Sequence, residues 1–557
     1  MIDQKRVRFI PIGGITDVTK NMYLYESYDG DVLRDILIVD CGAGFPRAKE
    51  LGVDLIIPDI TYLKDKTDKI RALLLTHAHE DHILALKFHY KELGSPPVFA
   101  SKLTTHFVMS RFEEVGIKAR VTEIEYGKQY EFGDFKAQYI HVTHSIPDPT
   151  HILITTPVGN FYHGPDYKLD LTPPYSDPPD FYAMTKAGQD GVLVLLSDCL
   201  GADREGLTLS ESVVGQTFED LMRMTKGKFI MTTFSSNISR IRQCTDAALK
   251  FNRKICFIGR SMRQNTDLAR NINYLPINPK FIIKEEQVAK YPPNTVCMVV
   301  AGSQGQFGSA LSKIADNHNK YIRIGKGDRV MFSSDPIPGN EADVNDIIEK
   351  LYFLGAEVTY SDSEGEIHAS GHGNQDDLKF LVRFTKPKYL IPIGGTIKLQ
   401  RRYRTLMNTL GYSDDKVILL DDGDSIWFEK GKTYLGDKVL VKNIYVDAYG
   451  IGDIGNFVLR DRKTLSEEGI VFIAVPVSSD VKLVGEPIIA SRGFVYKGDE
   501  TGLFDGARRI ISATFVNTGG GLMTKSTVER SIIDNLETYF KKETGREPLV
   551  VLEMLEL

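Results

Sequence analysis

One heptapeptide decides the fold and the chemistry of this chain: Thr76-His77-Ala78-His79-Glu80-Asp81-His82, directly after an apolar, strand-like run at 72–75. Histidine supplies only 12 of the 557 residues, yet three fall within these seven positions. His77 and His79 alternate on an extended backbone and can aim their imidazoles at one ion, whereas Asp81 and His82 open the next helix and can reach a second. Neutral imidazole and carboxylate are ligands that Zn²⁺ or Mn²⁺ accepts, so the stretch predicts a metal site.

Further ligands are expected from distant loops. His144 follows a strand-like run at 137–142, and Asp166 follows a strand and a Gly-Pro turn. Alone, each is typical of an ordinary loop residue, but a closed metal pair needs such distant donors. We expect the neighbouring His141 and His163 to be structural or to orient ligands.

Composition restricts the class of protein. The net charge is −6, so a generally basic coat is absent and any nucleic-acid binding needs a local basic groove or bound metal. The five cysteines are scattered without a CxxC pair, which favours reduced thiols. The N-terminus has no apolar signal-peptide core, and the longest apolar runs have the length of strands. We therefore expect a soluble, cytoplasmic protein.

The order of strand-like and helical stretches predicts an α/β protein with several domains. Most of the histidine chemistry lies in residues 1–210, and residues 211–360 form a second α/β unit. Residues 361–445 return to His- and Gly-rich turns, and residues 446–557 close the chain.

Asp40 after a strand, the heptapeptide, His144 and Asp166 resemble the successive motifs of the metallo-β-lactamase superfamily. The resemblance implies an αββα sandwich with Asp40 as an orienting residue. Because the superfamily spans lactamases, thioesterases and nucleases, the fold alone does not name the reaction.

Longer motifs resemble the β-CASP nucleases, and specifically the ribonuclease J family. The likeness runs from residue 10 to residue 553 through these segments: LLSDCLGADREG (195–206), GRSM (259–262), GSQG (302–305), FSSDPIPGNE (332–341), IHASGHG (367–373), GIGDIGN (450–456), LRDR (459–462) and SRGFVY (491–496). The implied architecture is a metallo-β-lactamase domain (1–210 and 361–445), an inserted β-CASP domain (211–360) and a linker with a small C-terminal α/β domain (446–557).

The resemblance also implies a set of roles. One metal, Zn²⁺ or Mn²⁺, is held by His77, His79 and His144 with Asp166 bridging, and a second by Asp81, His82 and Asp166. Asp198 acts as proton donor with His372 as its acid/base partner. Residues His368, Ala369, Ser370, Gly371 and His372 bind a phosphate or nucleotide. Gly52, Asp54 and Asp447 match a structural Ca²⁺ site of some members.

The implied partner is single-stranded RNA, 5′-monophosphorylated, held in a channel under the β-CASP domain. The resemblance also implies a homodimer or higher homo-oligomer. A basic cluster on a predicted helix, Lys398, Arg401, Arg402 and Arg404, either faces phosphates or is a solvated helix face.

Three positions depart from the family pattern. Gly394 stands where a histidine completes the second metal site, which predicts a weakened site. Ser239 replaces another histidine, and Gln306-Phe307 replaces a Glu-Pro pair. Two hypotheses therefore remain: an active ribonuclease in RNA processing, rRNA maturation and mRNA decay, and a weakly active or inactive RNA-binding subunit that assembles with an active partner. A small-molecule hydrolase explains neither the long insertion nor the HASGH turn.

Overall fold

The computed structural model describes residues 5–46, 50–337, 339–360, 367–447, 450–452, 455–495, 500–517 and 524–557. The motifs at 332–341, 450–456 and 491–496 each lie partly outside these residues. The chain divides into two compact units, one made of Met1–Phe45 and Ile56–Ile444 and the other of Pro46–Leu55 and Tyr445–Leu557. In the part of the chain that is described, no helix has the length and apolar character needed to cross a membrane.

The strands are β1 (Lys5–Gly13), β2 (Met22–Asp29), β3 (Val32–Val39), β4 (Leu55–Ile57), β5 (Ile70–Leu74), β6 (Val98–Ala100), β7 (Val121–Glu123), β8 (Gln129–Phe132), β9 (Phe135–His141), β10 (Thr150–Thr156), β11 (Gly159–Gly164), β12 (Val192–Asp198), β13 (Phe229–Thr232), β14 (Lys254–Ile258), β15 (Val296–Val300), β16 (Arg329–Phe332), β17 (Glu357–Thr359), β18 (Tyr389–Ile393), β19 (Ser425–Glu429), β20 (Lys432–Gly436), β21 (Ile444–Asp447), β22 (Gly450–Ile451), β23 (Ile470–Val477), β24 (Ile488–Arg492) and β25 (Leu549–Glu556).

The α-helices are α1 (Glu80–Ile83), α2 (Leu86–His89), α3 (Lys102–Glu114), α4 (Phe181–Asp190), α5 (Glu211–Met224), α6 (Ile238–Lys250), α7 (Arg260–Asn271), α8 (Ala310–Ala315), α9 (Glu341–Phe353), α10 (Gln375–Thr385), α11 (Ile397–Thr409), α12 (Asn456–Glu467), α13 (Glu500–Asn517) and α14 (Lys525–Thr544). Short 3₁₀ helices occupy Thr61–Leu63, Thr67–Lys69, Pro279–Phe281, Glu285–Lys290 and Pro293–Thr295.

Two large sheets form the centre of the first unit. One has the order β20-β19-β1-β2-β3-β5-β6-β7 and the other the order β18-β12-β11-β10-β9-β8. A single apolar core contains side chains of both, among them Phe9, Leu37, Phe135 and Val194. A second core holds α4, α10 and α11 against the outer face of the six-stranded sheet. The predicted sandwich is confirmed.

Parallel pairing places the ends of several strands side by side. In the first sheet β3 pairs in parallel with β5. In the second, β11, β12 and β18 are mutually parallel neighbours, with Asp198 opposite Ile393. Carboxyl ends of parallel strands meet at one edge of a sheet, which is where α/β proteins build their sites. Residues just after these strands are therefore brought together.

The inserted domain has its own sheet of five strands, in the order β14-β15-β13-β16-β17. All its pairings are parallel, as expected for strands that alternate with helices. Because β13 connects toward β14 while β16 connects toward β17, the loops after β13 and β16 leave in opposite directions. Such a switch point opens a crevice at the carboxyl edge of the sheet.

The second unit contains a small sheet with the order β24-β23-β25. On β23 buried and more exposed residues alternate, as expected for a sheet with one face on the core. Helices α13 and α14 supply the other half of that core, including Phe504, Ile511, Ile532 and Phe540. Helix α14 and strand β25 follow one another in this unit and contribute Ile532, Phe540 and Met554 to its core.

Candidate metal centre and active site

Asp40 organises the loop that carries the heptapeptide. It directly follows β3, is buried, and has a left-handed backbone (φ 60°), a conformation in which Asp is enriched. Its carboxylate accepts hydrogen bonds from the Thr76 backbone N–H (2.8 Å), the Thr76 hydroxyl (2.8 Å) and Nδ1 of His82 (2.7 Å). The bond to Nδ1 leaves Nε2 of His82 to face the site. Asp40 therefore orients a ligand rather than acting as one.

Four donors form the first group: His77, His79, His144 and Asp166, whose ligand atoms all lie within 4.8 Å of one another. Nδ1 of His79 lies 3.1 Å from Nε2 of His77 and 3.1 Å from Nε2 of His144. The Nδ1 atom of His144 donates to the Gly371 carbonyl at 2.6 Å, so its Nε2 carries a lone pair toward the centre. Burial lowers the pKa of all three imidazoles, that of His144 to about 3.

This geometry fits a tetrahedral ion. Ring nitrogens of His77, His79 and His144 face one another at the centre. Each neutral imidazole has a single N–H, and that of His144 is already used on the Gly371 carbonyl, so hydrogen bonds alone cannot satisfy all three nitrogens. Zn–N bonds of about 2.0–2.1 Å place tetrahedral nitrogens roughly 3.3 Å apart. The 3.1 Å separations of His77, His79 and His144 are close to that value. The donor chemistry and the spacing thus both suit a divalent metal.

A second group consists of Asp81, His82 and Asp166. Nε2 of His82 lies 3.6 Å from the Asp81 carboxylate and 3.5 Å from that of Asp166. Burial raises the pKa of Asp81 to about 6, against the opposing effect of His82. Burial disfavours the charge on His82, but Asp166, Asp81 and Asp40 outweigh it and raise its pKa well above the usual range.

Asp166 is the shared member of the whole centre. Its Oδ2 lies 3.5–3.9 Å from a nitrogen of His77, His82, His144 and His372. Burial opposes its charge, but His82 and His372 hold the pKa of this carboxyl well below its usual range.

A third group joins Asp166 to Asp198 and His372. Nδ1 of His372 donates to Oδ2 of Asp198 at 2.8 Å, and its Nε2 faces Asp166. The other Asp198 oxygen accepts from the Leu200 backbone N–H at 2.8 Å. Burial alone would lower the pKa of His372, but the carboxylates of Asp198 and Asp166 raise it to about 9. His372 is thus a partly buried imidazole with one nitrogen tethered to Asp198 and the other directed at the centre.

Gly394 lies beside the second and third groups. It directly follows β18, and a Cβ placed on it would lie 3.8 Å from Oδ1 of Asp166 and 3.9 Å from Oδ1 of Asp198. These are ordinary contact distances, so a side chain at this position would enter the centre. Its φ of +68° suits glycine best, although His is among the residues enriched in this region.

Asn21, which no sequence motif singles out, lies against the second group. Its Nδ2 is 3.1 Å from Nε2 of His82 and donates to the Asp81 carbonyl at 3.1 Å. The Tyr23 hydroxyl donates to Oδ1 of Asn21 at 2.8 Å and so fixes the orientation of the amide. No local signal could have found Asn21, because its partners lie 60 positions further along the chain.

The turn at 368–372 is held from the inserted domain. Arg240, on α6 and fully buried, donates to the Ala369 carbonyl (3.2 Å) and lies 3.3 Å from Nδ1 of His368. It also forms a two-pronged ion pair with Glu211 and donates to Ser333. Burial and Arg240 lower the pKa of His368 to about 4, so this imidazole is neutral.

A cavity of about 240 Å³ opens beside this turn. It is lined by Arg204, Thr208, Leu209, Asp335, Ile367, His368, Ala369, Ser370 and Asn374. Asp335 comes from the loop after β16, at the switch point of the inserted sheet. His368, Ala369 and Ser370 therefore line a cavity, whereas Gly371 and His372 face the metal centre through His144 and Asp198.

The remaining predicted residues lie elsewhere. Nε2 of His141 faces the Asp177 carbonyl, and His163 contacts the Tyr25 hydroxyl. Ser239 is half-buried on α6, and Phe307 is fully exposed in the loop after β15. The five cysteines are free and buried, as expected for reduced thiols.

The predicted calcium residues lie in the second unit. Arg462 donates to the carbonyls of Leu51 (3.1 Å) and Gly52 (3.0 Å), and its guanidinium lies 3.4 Å from the Asp447 carboxylate. Asp54 is exposed. A positive charge thus already lies among these oxygens, and the calcium site stays a prediction.

Fold and site together define a metallo-β-lactamase-type hydrolase with a β-CASP insertion. Family models match on residues 15–162 (metallo-beta-lactamase superfamily), 226–351 (ribonuclease J, beta-CASP domain) and 457–557 (ribonuclease J C-terminal domain). The chain is 34% identical over 557 residues to ribonuclease J2 of Bacillus subtilis (strain 168), covering 99% of both chains. It belongs to the ribonuclease J family.

Other relatives give the same result. Ribonuclease J 1 of Streptococcus pyogenes serotype M3 is 34% identical over 97% of this chain and 96% of its own. Ribonuclease J 2 of Staphylococcus aureus (strain NCTC 8325 / PS 47) is 33% identical over 99% of both. A crystal structure of a protein of unknown function from Enterococcus faecalis V583 matches at a TM-score of 0.54 and 15% identity, covering 77% of this chain and 99% of its own. That match concerns the fold alone.

Proposed function

We propose that this chain is an active metal-dependent ribonuclease that hydrolyses single-stranded RNA, as a 5′-to-3′ exonuclease and as an endonuclease, in RNA processing, rRNA maturation and mRNA decay. The observation that carries the proposal is the convergence of all three His/Asp groups on Asp166, within reach of the Asp198–His372 pair. This arrangement has both the donors for two divalent ions and a group that can move a proton.

Cleavage of a phosphodiester requires a nucleophile, neutralisation of phosphate charge and a proton for the leaving oxygen. Zn²⁺ or Mn²⁺ ions held by the first group and by Asp81, His82 and Asp166 supply the first two when bound. The chain supplies the third: His372 directs Nε2 at the centre while Asp198 holds its Nδ1–H. The resemblance made Asp198 the proton donor, but its two oxygens accept hydrogen bonds from Nδ1 of His372 and from the Leu200 backbone N–H. We therefore assign His372 as the group that passes its Nε2 proton to the leaving oxygen, with Asp198 as its partner.

The cavity beside residues 368–370 suits the 5′-phosphate of the RNA. Arg204 supplies a cation, and the Ser370 hydroxyl and the backbone of the turn supply polar groups. Its volume of about 240 Å³ is small, which favours a terminal nucleotide over a continuing strand. Binding of the 5′ end here would place the next phosphodiester toward His372, which is the basis for stepwise cleavage from that end.

The experiment is cleavage of one RNA sequence carrying a 5′-monophosphate, a 5′-triphosphate or a 5′-hydroxyl, with added Mn²⁺ or Zn²⁺. We expect stepwise release of mononucleotides from the monophosphate form only, and slower internal cuts in all three. A DNA of the same sequence serves as the control. Equal stepwise release from all three RNAs would contradict the 5′-phosphate pocket, and no cleavage of any RNA would contradict the enzyme.

One observation favours the second candidate, a weakly active RNA-binding subunit that assembles with an active partner. Gly394 leaves the second group with three donors in place of four. A chain that binds the monophosphorylated RNA tightly, yet cleaves none at any Mn²⁺ or Zn²⁺ concentration, would establish this reading. The predicted homodimer or higher homo-oligomer is part of either proposal and is testable by light scattering.

A further inference from the structure

Helix α11 carries an unusual concentration of positive charge. Its sequence, IKLQRRYRTLMNT, contains four basic residues and no acidic one. Lys398 and Arg401 are three positions apart and Lys398 and Arg402 four, so all three lie on one face. The opposite face, with Gln400, Tyr403, Leu406 and Met407, is buried in the core.

These cations are largely uncompensated. Lys398 pairs with Asp203 at 2.9 Å, an exposed pair of the kind that contributes little. Arg404 turns back to donate to the Val417 carbonyl. Arg401 and Arg402 are exposed and form no ion pair with any residue that the structure describes. Two free guanidinium groups thus stand side by side on a protein whose net charge is −6.

The same helix face also borders a depression in the protein surface. A shallow, wide-open groove of about 490 Å³ along this one helix is lined by Ile397, Lys398, Arg401, Arg402 and Thr405. Ile397 is 46% exposed, so the groove offers apolar surface beside the cations. A single nucleic-acid strand needs this combination, because its phosphates take the charge and its bases take the apolar contact.

The position of the face links it to the catalytic centre. Helix α11 begins three residues after Gly394, which adjoins Asp166 and Asp198. Asp203, the partner of Lys398, belongs to the loop that follows Asp198 and continues to Arg204 in the cavity lining. With a rise of 1.5 Å per residue, the face extends roughly 12 Å from residue 397 to residue 405. It therefore starts at the edge of the centre and leads away from it.

We propose that the α11 face formed by Ile397, Lys398, Arg401, Arg402 and Thr405 binds phosphates of the RNA strand beyond the cleavage site. The proposal rests on the proposed ribonuclease function and adds a second contact region for the same substrate. Arg401 and Arg402 are its main phosphate ligands, since Lys398 is shared with Asp203. Contacts to phosphates position a strand without reading its sequence, so this face acts on any RNA long enough to reach it.

The test is the Arg401→Gln/Arg402→Gln variant. Binding of a labelled 5′-monophosphorylated RNA of about 20 nucleotides is measured in EDTA across salt concentrations, with a dinucleotide for comparison. Each lost phosphate contact lowers the slope of log affinity against log salt by about 0.7 for a single strand, so we expect a decrease of roughly 1.4. We also expect the ratio of kcat/KM for the long RNA to that for the dinucleotide to fall about tenfold.

The matched control is Arg383→Gln/Arg530→Gln, which removes two exposed arginines from α10 and α14. This control should keep the wild-type salt slope. An equal slope in wild type and the Arg401→Gln/Arg402→Gln variant would overturn the proposal, as would an equal loss in both double variants. Because binding is measured without metal, absence of cleavage by the wild type would count against the ribonuclease function and leave this test standing.

Discussion

The two metal-binding groups share one carboxylate but are built differently. The first group has His77, His79, His144 and Asp166, with imidazole nitrogens already at ligand spacing. The second has Asp81, His82 and Asp166, and on the side of β18 it meets Gly394, which has no side chain. One heptapeptide supplies residues to both groups, yet the first has four donors and the second three.

The difference teaches that a local motif does not guarantee a complete site. Asp81 and His82 are fixed by α1 and by the Asp40 hydrogen bond, whatever stands at position 394. The resemblance implies a histidine at position 394, and we propose that its replacement by glycine leaves the motif intact and weakens only the ion on that side. We expect the first ion to bind tightly and the second weakly.

The largest expected effect comes from Asp166→Ala, because Asp166 belongs to every group in the centre. We expect RNA cleavage to fall below detection and both ions to be lost, with circular dichroism unchanged. Metal analysis and the monophosphorylated RNA assay give the two readouts. Retention of both ions would show that the shared position of Asp166 is not a shared ligand.

His372→Ala should lower kcat by about 10²–10⁴-fold, the scale of general acid/base catalysis. The metal content should equal that of wild type, because His372 is tethered to Asp198 rather than placed among the first four donors. His163→Ala, which removes an imidazole outside the centre, is the control. Loss of an ion from the His372 variant would make His372 a ligand and remove its assigned role.

Asp40→Asn should act mainly on the second group, since Asp40 contacts His82 directly and reaches His77 only through the Thr76 hydroxyl. Loss of a residue that hydrogen-bonds to a metal ligand typically lowers metal affinity or activity by about 10–100-fold. We expect the metal concentration needed for half-maximal activity to rise by a factor of that size, because the second ion binds more weakly. Asp35→Asn, a buried carboxylate paired with Arg71, is the control. Equal weakening of both ions would contradict the separation.

Gly394→His should strengthen the incomplete group. Its Cβ has room beside Asp166 and Asp198, although the positive φ adds some strain. We expect half-maximal activity at a metal concentration at least about tenfold lower than for wild type. Tenfold is the lower end of the effect of residues that only orient a metal ligand, and a direct ligand should contribute at least as much. Gly394→Ala has the same Cβ and the same strain without an imidazole, and should not shift the requirement.

Much of the centre was predictable because its residues follow strands. Asp40 directly follows β3, Asp198 ends β12 and Asp166 lies two residues after β11, and parallel pairing brings such positions together. The heptapeptide added ligands whose spacing is local. By contrast, the contacts of Arg240 with the turn at 368–369 span 128 and 129 positions. Long-range contacts of this kind leave no periodic signal in a single sequence.

The strand β2 shows why parts of the fold were harder to predict. Glu26 and Ser27 interrupt its apolar pattern, although both are buried. The Glu26 carboxylate accepts hydrogen bonds from the hydroxyls of Tyr62 and Tyr28, so its polarity is satisfied inside the protein. Hydropathy alone places such residues at the surface. The partner Tyr62 lies 36 positions away and is visible only in the folded chain.

The two metal sites are expected to differ in strength, and metal stoichiometry after desalting tests this difference most directly. Protein saturated with Zn²⁺ or Mn²⁺ is passed through a desalting column, and the ions retained per chain are counted for wild type, Gly394→Ala and Gly394→His. We predict one retained ion for wild type and Gly394→Ala, and two for Gly394→His. Two tightly held ions in the wild-type chain would contradict the account and would mean that another residue takes the place of the missing ligand.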